Sequence, residues 1–320
     1  MRVGIAGAGF IAETHLIEYA GMDVDVVGVA SPSGPDGVIE KYAHDATAYT
    51  DVATMCVGED LDYLDVCTPT HTHLDAVRTA AGAGVGVFLE KPIAGSLNEA
   101  HAIAEAVEEG GVPFMVGHVV RFQPDYVTAA SLEIGHPGVA RARRLSPFPD
   151  WGSDDWFADR EKSGGIFVDL AIHDLDYLRW CWGEVERVFA RRHREPHVEH
   201  GFVVLRFENG AVGYVEASWA QPESRPFTSE LELAGDDGLV ELSTDDEAPY
   251  REWTEGGATV ESPHAKGGYR RELEHFVSCV ESGQEPDVGV TEAIESLRLG
   301  IAAERSADRN EPVTVREVVV

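Results

Sequence analysis

The sequence predicts an α/β fold that begins with a doubly wound parallel sheet and continues with a second α/β part whose sheet is mostly antiparallel. Over residues 1–118, short apolar runs alternate with amphipathic segments of helical length, which is typical of consecutive βα units. Beyond residue 118 the pattern changes to strand pairs joined by turn sequences such as Glu208-Asn209-Gly210 and Asp236-Asp237-Gly238. We therefore expect two domains, 1–118 and 119–320.

The individual elements follow from periodicity and from start and stop signals. In the first domain we expect helices between strands at Arg2–Ala6, Val26–Ala30, Leu64–Cys67, Val85–Leu89 and Val112–Gly117. Ser96 and Glu99 form a capping box that starts one of these helices. In the second domain we expect a helix after Arg121, a strand at Val139–Leu145, a helix at Ile166–Cys181, hairpins at Phe202–Trp219 and Ser229–Leu242, and two terminal helices.

The composition excludes several classes of partner. The chain has 320 residues with 57 acidic and 25 basic side chains, which gives a formal charge of −32. This charge repels phosphate backbones and anionic lipid, so we expect neither a nucleic-acid partner nor a membrane partner. An acidic excess of this size resembles that of proteins from a halophile, in which salt screens the self-repulsion. No signal peptide precedes the first strand and the four cysteines form no CxxC pair, so we expect a cytoplasmic protein.

A glycine-rich turn follows the first predicted strand. Gly7-Ala8-Gly9-Phe10-Ile11-Ala12 matches the dinucleotide-binding fingerprint with Ala in the third small position. The first glycine permits the tight turn, and the second lets the backbone approach a pyrophosphate. We expect Gly7, Gly9, Phe10 and Ile11 to contact a dinucleotide in a Rossmann domain. A purely structural glycine turn is the alternative for so short a pattern.

The end of the second strand indicates which dinucleotide binds. Sites specific for NAD place Asp or Glu there, where the carboxylate accepts the ribose hydroxyls and repels a 2′-phosphate. This chain has Ser31 and Ser33 instead, which favours NADP over NAD. Two features oppose that choice, because the loop after this strand offers no Arg before Lys41 and Asp36 is close in sequence.

The apolar strand Val85–Leu89 ends in Glu90-Lys91-Pro92, so a charged side chain stands at its carboxyl end. In open parallel sheets, ligands bind at that edge. Lys is also rare here, occurring only at 41, 91, 162 and 266. Lys91 is therefore a candidate for chemistry, with a solvated loop lysine as the alternative. The preceding strand ends in Thr68-Pro69-Thr70-His71-Thr72-His73, so we add Thr68, Pro69, His73, Glu90 and Lys91 to the cofactor site.

The predicted helix Ile166–Cys181 carries Asp169 and His173 four positions apart, which places them on one face. From these residues alone, either the two satisfy each other in a core, which is the simpler interpretation, or they point together into a cleft. Metal ligation by His173, Asp174 and Asp176 is disfavoured because consecutive residues face different sides of a helix and no second ligand cluster occurs. We expect no metal.

Five motifs together resemble the glucose-fructose oxidoreductase / inositol dehydrogenase (Gfo/Idh/MocA) family over nearly the whole chain. They are Gly7–Ala12, Thr68-Pro69 with His73, Glu90-Lys91-Pro92, Gly117-His118 with Arg121-Phe122 and Pro124, and Gly164-Gly165 with Asp169 and His173. The resemblance implies a dinucleotide-binding Rossmann domain at 1–118. It also implies an α/β domain at 119–320 that binds substrate and whose large, mostly antiparallel sheet supports oligomers. The terminal helices are free to pack back on the first domain.

The resemblance also assigns roles, and it reverses the core interpretation of Asp169 and His173. Lys91, Asp169 and His173 become the catalytic set, facing one another across the interdomain cleft beside the nicotinamide. His173 accepts the hydroxyl proton, Asp169 orients its imidazole, and Lys91 either polarises the substrate oxygen or joins the proton relay. These three also bind substrate, together with Arg121 and the aromatic loop that contains Trp151 and Trp156.

The expected function is hydride transfer between a sugar, inositol or related polyol and the nicotinamide of NADP or NAD. The resemblance further implies a homodimer or homotetramer and a cis Lys91–Pro92 bond. Two alternatives use the same scaffold. One is glycoside cleavage through transient oxidation, and the other is a non-enzymatic dinucleotide sensor. The intact catalytic set argues against the sensor.

Overall fold

The computed structural model of the chain describes residues 1–150, 152, 155–244, 250–254, 257–261 and 267–320. Their contacts divide the chain into two compact units. The first unit contains Met1–Val119 and Gly268–Ile294, and the second contains Val120–Asp150, the described part of Asp155–Gly267, and Glu295–Val320. Within the described ranges, no helix is both long enough and apolar enough to cross a membrane.

The first unit is built on a parallel sheet of six strands in the order β3-β2-β1-β4-β5-β6. The strands are β1 (Arg2–Ala6), β2 (Asp25–Ala30), β3 (Thr47–Tyr49), β4 (Tyr63–Val66), β5 (Gly86–Glu90) and β6 (Phe114–Gly117). The helices are α1 (Phe10–Tyr19), α2 (Asp36–Tyr42), α3 (Val52–Gly58), α4 (His73–Gly82), α5 (Leu97–Gly110) and, from the C-terminal part of the chain, α10 (Gly268–Ser282). The predicted doubly wound sheet is confirmed.

The strand order explains where this unit offers a ligand site. The chain reverses direction across the sheet between β1 and β4, so the carboxyl ends of these neighbours form the crevice at a topological switch point. All residues of β4 and β5 are buried, as their apolar sequences predict for central strands. The predicted Ser96 N-cap is also present, because Ser96 Oγ accepts the Glu99 N–H at 3.3 Å and donates to the Glu99 carboxylate at 3.0 Å.

The sequence prediction missed β3 and α3. β3 has only three residues, none of them buried, so it carries no periodic apolar signal. The start of α3 is marked by Asp51, whose carboxylate accepts the N–H of Thr54 at 2.7 Å. That N-cap was the only usable sequence signal for this helix.

The second unit contains a sheet of nine strands in the order β14-β13-β12-β11-β7-β10-β9-β8-β15. The strands are β7 (Pro137–Leu145), β8 (Val185–Glu195), β9 (Val198–Phe207), β10 (Val212–Ser218), β11 (Thr228–Gly235), β12 (Gly238–Ser243), β13 (Tyr250–Thr254), β14 (Gly257–Glu261) and β15 (Val313–Thr314). The helices are α6 (Pro124–Ser131), α7 (Arg160–Ser163), α8 (Ile166–Asp169), α9 (Ile172–Trp182) and α11 (Val290–Arg309), the last of which starts in the first unit.

Only β7 and β10 pair in parallel, and every other neighbouring pair of described strands in this sheet is antiparallel. The prediction of a large, mostly antiparallel sheet is therefore confirmed, although β8 was missed. Along β9 and β10, buried residues such as Val203 and Val215 alternate with exposed ones such as Val204 and Val212. One face of the sheet is thus covered by helices α8 and α9, and the other is more open.

The prediction of a single helix over Ile166–Cys181 is wrong in one respect, because the segment forms α8 and α9 with a break between them. The Ala171 N–H binds the Ile166 carbonyl at 2.9 Å, five residues back, which interrupts the helical ladder. The backbone there packs closely on α11, since a Cβ added to Gly300 would lie 3.0 Å from the Phe167 oxygen. The spacing that placed the predicted catalytic pair on one face is therefore not that of a continuous helix.

We expect Asp174→Ala to lower the free energy of unfolding by about 3–5 kcal/mol, measured by chemical denaturation. Both groups of the Arg144–Asp174 pair are buried, and Arg144 donates from Nε at 3.0 Å and from Nη2 at 2.7 Å. Removing the carboxylate leaves a buried guanidinium without its counter-charge. As a control, Arg206→Ala removes an exposed partner of Glu186 and should cost less than about 1 kcal/mol. Equal effects of the two substitutions would contradict this account.

Candidate cofactor and catalytic site

The turn between β1 and α1 requires glycine at its first position. Gly7 has φ +114°, and its N–H donates to Ala30 O at 2.8 Å at the end of β2. A Cβ on Gly7 would lie 2.6 Å from Cys67 O, so any other residue would push the turn away from the end of β4. The turn is thereby held against both strands that flank β1 in the sheet.

The second glycine of the fingerprint borders open space. Gly9 is the N-cap of α1, and an added Cβ there would meet no described atom within 4 Å. The first N–H groups of this ten-residue helix therefore lie beside room for a ligand. The neighbouring Phe10 is 57 % exposed. This arrangement fits the pyrophosphate of a dinucleotide, because it combines the positive end of a helix with close backbone access.

The two serines that favour NADP lie together directly after β2. Ser31 is buried, its N–H donates to Tyr49 O at 3.0 Å, and its Oγ lies 3.2 Å from Ser33 Oγ. The two hydroxyls thus form one small polar group at the carboxyl end of β2. No carboxylate lies between Ala30 and Asp36 in the sequence.

His73 joins the loops that follow β4 and β5. The ring is buried, with Nε2 at 2.9 Å from Thr68 O and Nδ1 at 3.0 Å from Pro92 O. Burial lowers the pKa of His73, so the ring is neutral near pH 7 and one of its nitrogens donates. The Lys91–Pro92 bond is cis, as the resemblance implied. His73 fixes the loop backbone, and its direct contact with a cofactor stays a prediction.

Glu90 and Lys91 end β5 and differ in burial. Glu90 is buried and its Oε2 accepts the Lys91 N–H at 3.1 Å, while its Oε1 lies 3.3 Å from His15 Nε2 on α1. Its carboxylate therefore points into the interior of the unit. Lys91 is half-buried at the edge where the ligand crevice is predicted. A cofactor contact by Glu90 remains a prediction.

A buried histidine–aspartate pair behind this edge was missed by the sequence prediction. His15 Nδ1 lies 2.8 Å from Asp65 Oδ2, and the Tyr19 hydroxyl donates to the same oxygen at 3.0 Å. Burial opposes the charged form of His15, but Asp65 and Cys67 outweigh burial and raise the pKa of His15 well above its ordinary value. The available signal was an aspartate inside the otherwise apolar strand Tyr63-Leu64-Asp65-Val66.

In the second unit, Asp169 ends α8 and is buried, and His173 is half-buried in the first turn of α9. The turn before α8 depends on Gly165, which has φ +81° and would place a Cβ 2.7 Å from a Glu304 oxygen. The predicted substrate residue Arg121 is buried, and its Nε and Nη2 donate to Asp176 at 2.8 and 2.6 Å. Its role toward a substrate stays a prediction.

The same geometry explains the carboxylates that were considered as metal ligands. Asp174 is paired with Arg144, and Asp176 accepts from Arg121 and from Ser296 Oγ at 2.6 Å. Both carboxylates are thus neutralised by buried guanidinium groups that lie on other elements. Each pair joins its carboxylate on α9 to another element of the second unit.

The aromatic loop is described only in part. Trp151 lies outside the described residues, whereas Trp156 is buried and stacks on Phe157 at 3.9 Å between ring centroids. A cavity of about 390 Å³ in the second unit is lined by Phe148, Phe157 and the 194–199 segment. None of the described residues that were predicted for the site lines it, so we assign it no part in the chemistry.

The fold and these sites define a class of dinucleotide-dependent oxidoreductase with an added α/β domain. The model of the oxidoreductase family with an NAD-binding Rossmann fold (GFO/IDH/MocA) matches residues 1–118, and the GFO/IDH/MocA C-terminal domain matches residues 128–241. The chain belongs to the GFO/IDH/MocA oxidoreductase family, as its motifs indicated.

Curated relatives match along most of their length. The chain is 30 % identical to D-xylose 1-dehydrogenase (NADP(+)) 2 of Haloferax volcanii, over 96 % of either chain. It is 32 % identical to scyllo-inositol 2-dehydrogenase (NAD(+)) of Bacillus subtilis, over 79 % of this chain and 77 % of the relative. A solved structure of a probable dehydrogenase from Thermotoga maritima superimposes with TM-score 0.85 at 27 % identity, with full coverage of both chains.

Gly9→Ala should weaken binding of reduced nicotinamide dinucleotide at least ~10-fold and leave the melting temperature nearly unchanged. The new methyl group meets open space in the protein itself but occupies the room that the pyrophosphate needs. Gly82→Ala is the matched control, because its Cβ also meets no described atom within 4 Å and it lies at the end of α4. Fluorescence titration gives the affinities. Unchanged binding by the Gly9 variant would exclude this turn as the pyrophosphate site.

Proposed function

We propose that the protein is an NAD(P)-dependent dehydrogenase or reductase that acts on a CH–OH group of a sugar, an inositol or a related polyol. The observation that carries this proposal is the position of Lys91, half-buried at the carboxyl end of the central strand β5, within a domain that matches the NAD-binding family model. The named relatives support the substrate class, because one is a dehydrogenase of D-xylose and another of scyllo-inositol.

We assign a separate role to each of the two predicted domains. We assign dinucleotide binding to 1–118, through the Gly7 turn, the N-terminus of α1, the serine pair and the loops after β4 and β5. We assign substrate binding and oligomerisation to 119–320, with Arg121 and Trp151 as substrate contacts.

In this mechanism the bound nicotinamide supplies the two-electron acceptor, and the residues of the chain move the proton. His173 accepts the proton of the substrate hydroxyl as its carbon is oxidised, and Asp169 orients the imidazole for that role. Lys91 donates a hydrogen bond to the same oxygen and stabilises the charge that develops on it. In the reductive direction the same groups return the proton.

Lys91→Ala should lower turnover at least ~10²-fold while the affinity for the cofactor stays nearly constant, because the lost hydrogen bond acts on the reacting oxygen. A panel of sugars and polyols, followed by the absorbance of the reduced nicotinamide, gives the rates. The control is Lys162→Ala, which removes a lysine of the second unit that is 3.8 Å from Asp159 and half-exposed. Near-normal turnover in the Lys91 variant would refute the proposed role.

We propose NADP as the preferred cofactor. The Ser31 and Ser33 hydroxyls are 3.2 Å apart at the end of β2 and place no negative charge against a 2′-phosphate. The D-xylose relative carries NADP(+) in its name, whereas the scyllo-inositol relative carries NAD(+). The serine pair is therefore the feature on which this preference depends.

The ratio of kcat/KM for the two cofactors at matched salt tests this choice. We expect the wild type to favour NADP and Ser31→Asp to shift the ratio toward NAD by ~10-fold or more, since the new carboxylate repels the 2′-phosphate. Ser33→Ala, which removes a hydroxyl without adding charge, should shift it less. A tenfold preference of the wild type for NAD would show that Ser31 and Ser33 do not select the 2′-phosphate of NADP.

We also propose a homodimer or homotetramer that works in high salt. The open face of the nine-stranded sheet supports the assembly, because it carries the exposed Val204 and Val212 beside the stacked rings of Phe202 and Tyr214. The formal charge of −32 supports the salt requirement. Light scattering in low and in molar salt measures both properties directly.

A further inference from the structure

Four ionisable side chains from four elements of the first unit meet in its interior. His15 on α1, Asp65 on β4 and Glu272 on α10 are each 0 % exposed, and Glu90 on β5 is 6 % exposed. One ring nitrogen of His15 and one oxygen each of Glu90 and Glu272 lie within 4.8 Å of one another. We call these four residues the buried acid cluster.

The hydrogen-bond donors in this cluster are unevenly shared. Asp65 lies 2.8 Å from His15 Nδ1 and accepts from the Tyr19 hydroxyl at 3.0 Å and from the Cys67 thiol at 3.3 Å. Glu90 Oε2 accepts the backbone N–H of Lys91 at 3.1 Å. Both oxygens of Glu272 are buried and have no hydrogen-bond partner among the described residues.

The charges of the cluster do not balance if every carboxyl group is ionised. One imidazolium would then face three carboxylates in a region that excludes water, and buried unpaired charge is costly. Of the three, only Glu272 lacks a donor, so it is the group that takes up a proton. Burial, followed by the charge of the neighbouring Glu90, raises the pKa of Glu272 well above its ordinary value.

We propose that Glu272 is a positioning residue for the reaction, which in its neutral form adds no second negative charge beside Glu90 and so leaves the Glu90 carboxylate on the strand end that presents Lys91. The link from Glu90 to Lys91 is direct, because the Glu90 carboxylate holds the Lys91 N–H. The effect on Lys91 rests on the proposed function, whereas the proton on Glu272 does not.

Ionisation of Glu272 would place two like charges side by side and displace the Glu90 carboxylate from the Lys91 amide. The groups that set this equilibrium are Glu90, His15 and Asp65, which act on Glu272 directly. Tyr19, Tyr63 and Cys67 surround Asp65, and Tyr269 packs against the His15 ring. Activity should therefore fall on the alkaline side as Glu272 loses its proton.

Glu272→Gln tests whether Glu272 is protonated in the folded protein, without any assay of activity. The amide has nearly the same shape as the carboxyl group, is neutral at every pH and keeps a hydrogen-bond donor. A raised pKa in the folded state stabilises the fold fully below the pKa of the unfolded chain, and that stability is lost as pH rises toward the folded pKa. The melting temperature of Glu272→Gln minus that of wild type should thus grow from pH 5 to pH 8, by about 3 °C or more.

Two further variants control for structural damage. Glu272→Ala has no donor and leaves a cavity, so it should melt below wild type at pH 5, where Glu272→Gln should not. Asp308→Asn removes a carboxylate whose pKa is lowered, because Arg160 and Arg192 outweigh its burial. Its difference from wild type should be negative and constant between pH 5 and pH 8. A difference for Glu272→Gln that is equally constant would overturn the protonation of Glu272.

The positioning role is tested by the pH dependence of kcat/KM. The alkaline limb of Glu272→Gln should lie at least about one pH unit above that of wild type, with similar values at pH 6 and an unchanged cofactor KM. Identical profiles would overturn the positioning role. If wild type oxidises no polyol, the proposed function fails, but the melting experiment still shows whether Glu272 is protonated.

A divalent cation would satisfy the same carboxylates and is distinguished by elemental analysis of the purified wild type. We expect no stoichiometric metal and no change in melting temperature with EDTA. One equivalent of a divalent metal in wild type that is absent from Glu272→Gln would overturn the proposal.

Discussion

The candidate cofactor site depends on one close backbone approach, between the turn after β1 and the end of β4. Gly7 lies so near Cys67 O that a Cβ would fall 2.6 Å from it, and its N–H binds the end of β2. This contact determines where α1 begins, and so where the first N–H groups of the helix point. The glycine fingerprint, the serine pair after β2 and the loop after β4 are therefore neighbours because β1 lies between β2 and β4 in the sheet.

The two units neutralise buried carboxylates in different ways. In the second unit, Asp174 and Asp176 pair with Arg144 and Arg121 in two-point contacts that a planar guanidinium makes well. The described interior around Glu90 contains no arginine partner, and the carboxylates there are held by a histidine, a tyrosine, a thiol and a backbone amide. Arginine keeps its charge at any physiological pH. In the first unit the pKa of Glu272 is raised by burial and by the charge of Glu90, and the pKa of His15 is raised because Asp65 and Cys67 outweigh its burial.

The local pattern of the sequence was sufficient for the elements with strong periodicity and clear ends, such as β5, α5 and the Asn209-Gly210 hairpin. It failed where tertiary packing decides. β3 is short and not buried, and the break between α8 and α9 accompanies contact with Gly300, which is far along the chain. The buried acid cluster was beyond local reasoning for the same reason, because His15 and Glu272 come from opposite ends of the sequence. The position of Lys91 directly after β5, by contrast, could be predicted from the strand and the proline that flank it.

Contacts before and after Lys91 along the chain hold its backbone in place. On one side its N–H binds the Glu90 carboxylate, and on the other the carbonyl of Pro92 contacts the buried His73, which also contacts Thr68 O. The backbone groups of Thr68, Lys91 and Pro92 thus each contact a buried side chain, which is Glu90 for Lys91 and His73 for the other two. If Lys91 binds the substrate oxygen as proposed, a backbone fixed in this way reduces the conformational freedom that the residue loses on binding. In the proposed mechanism the polar groups around Lys91 act by fixing its position, and the proton is accepted by a different residue, His173.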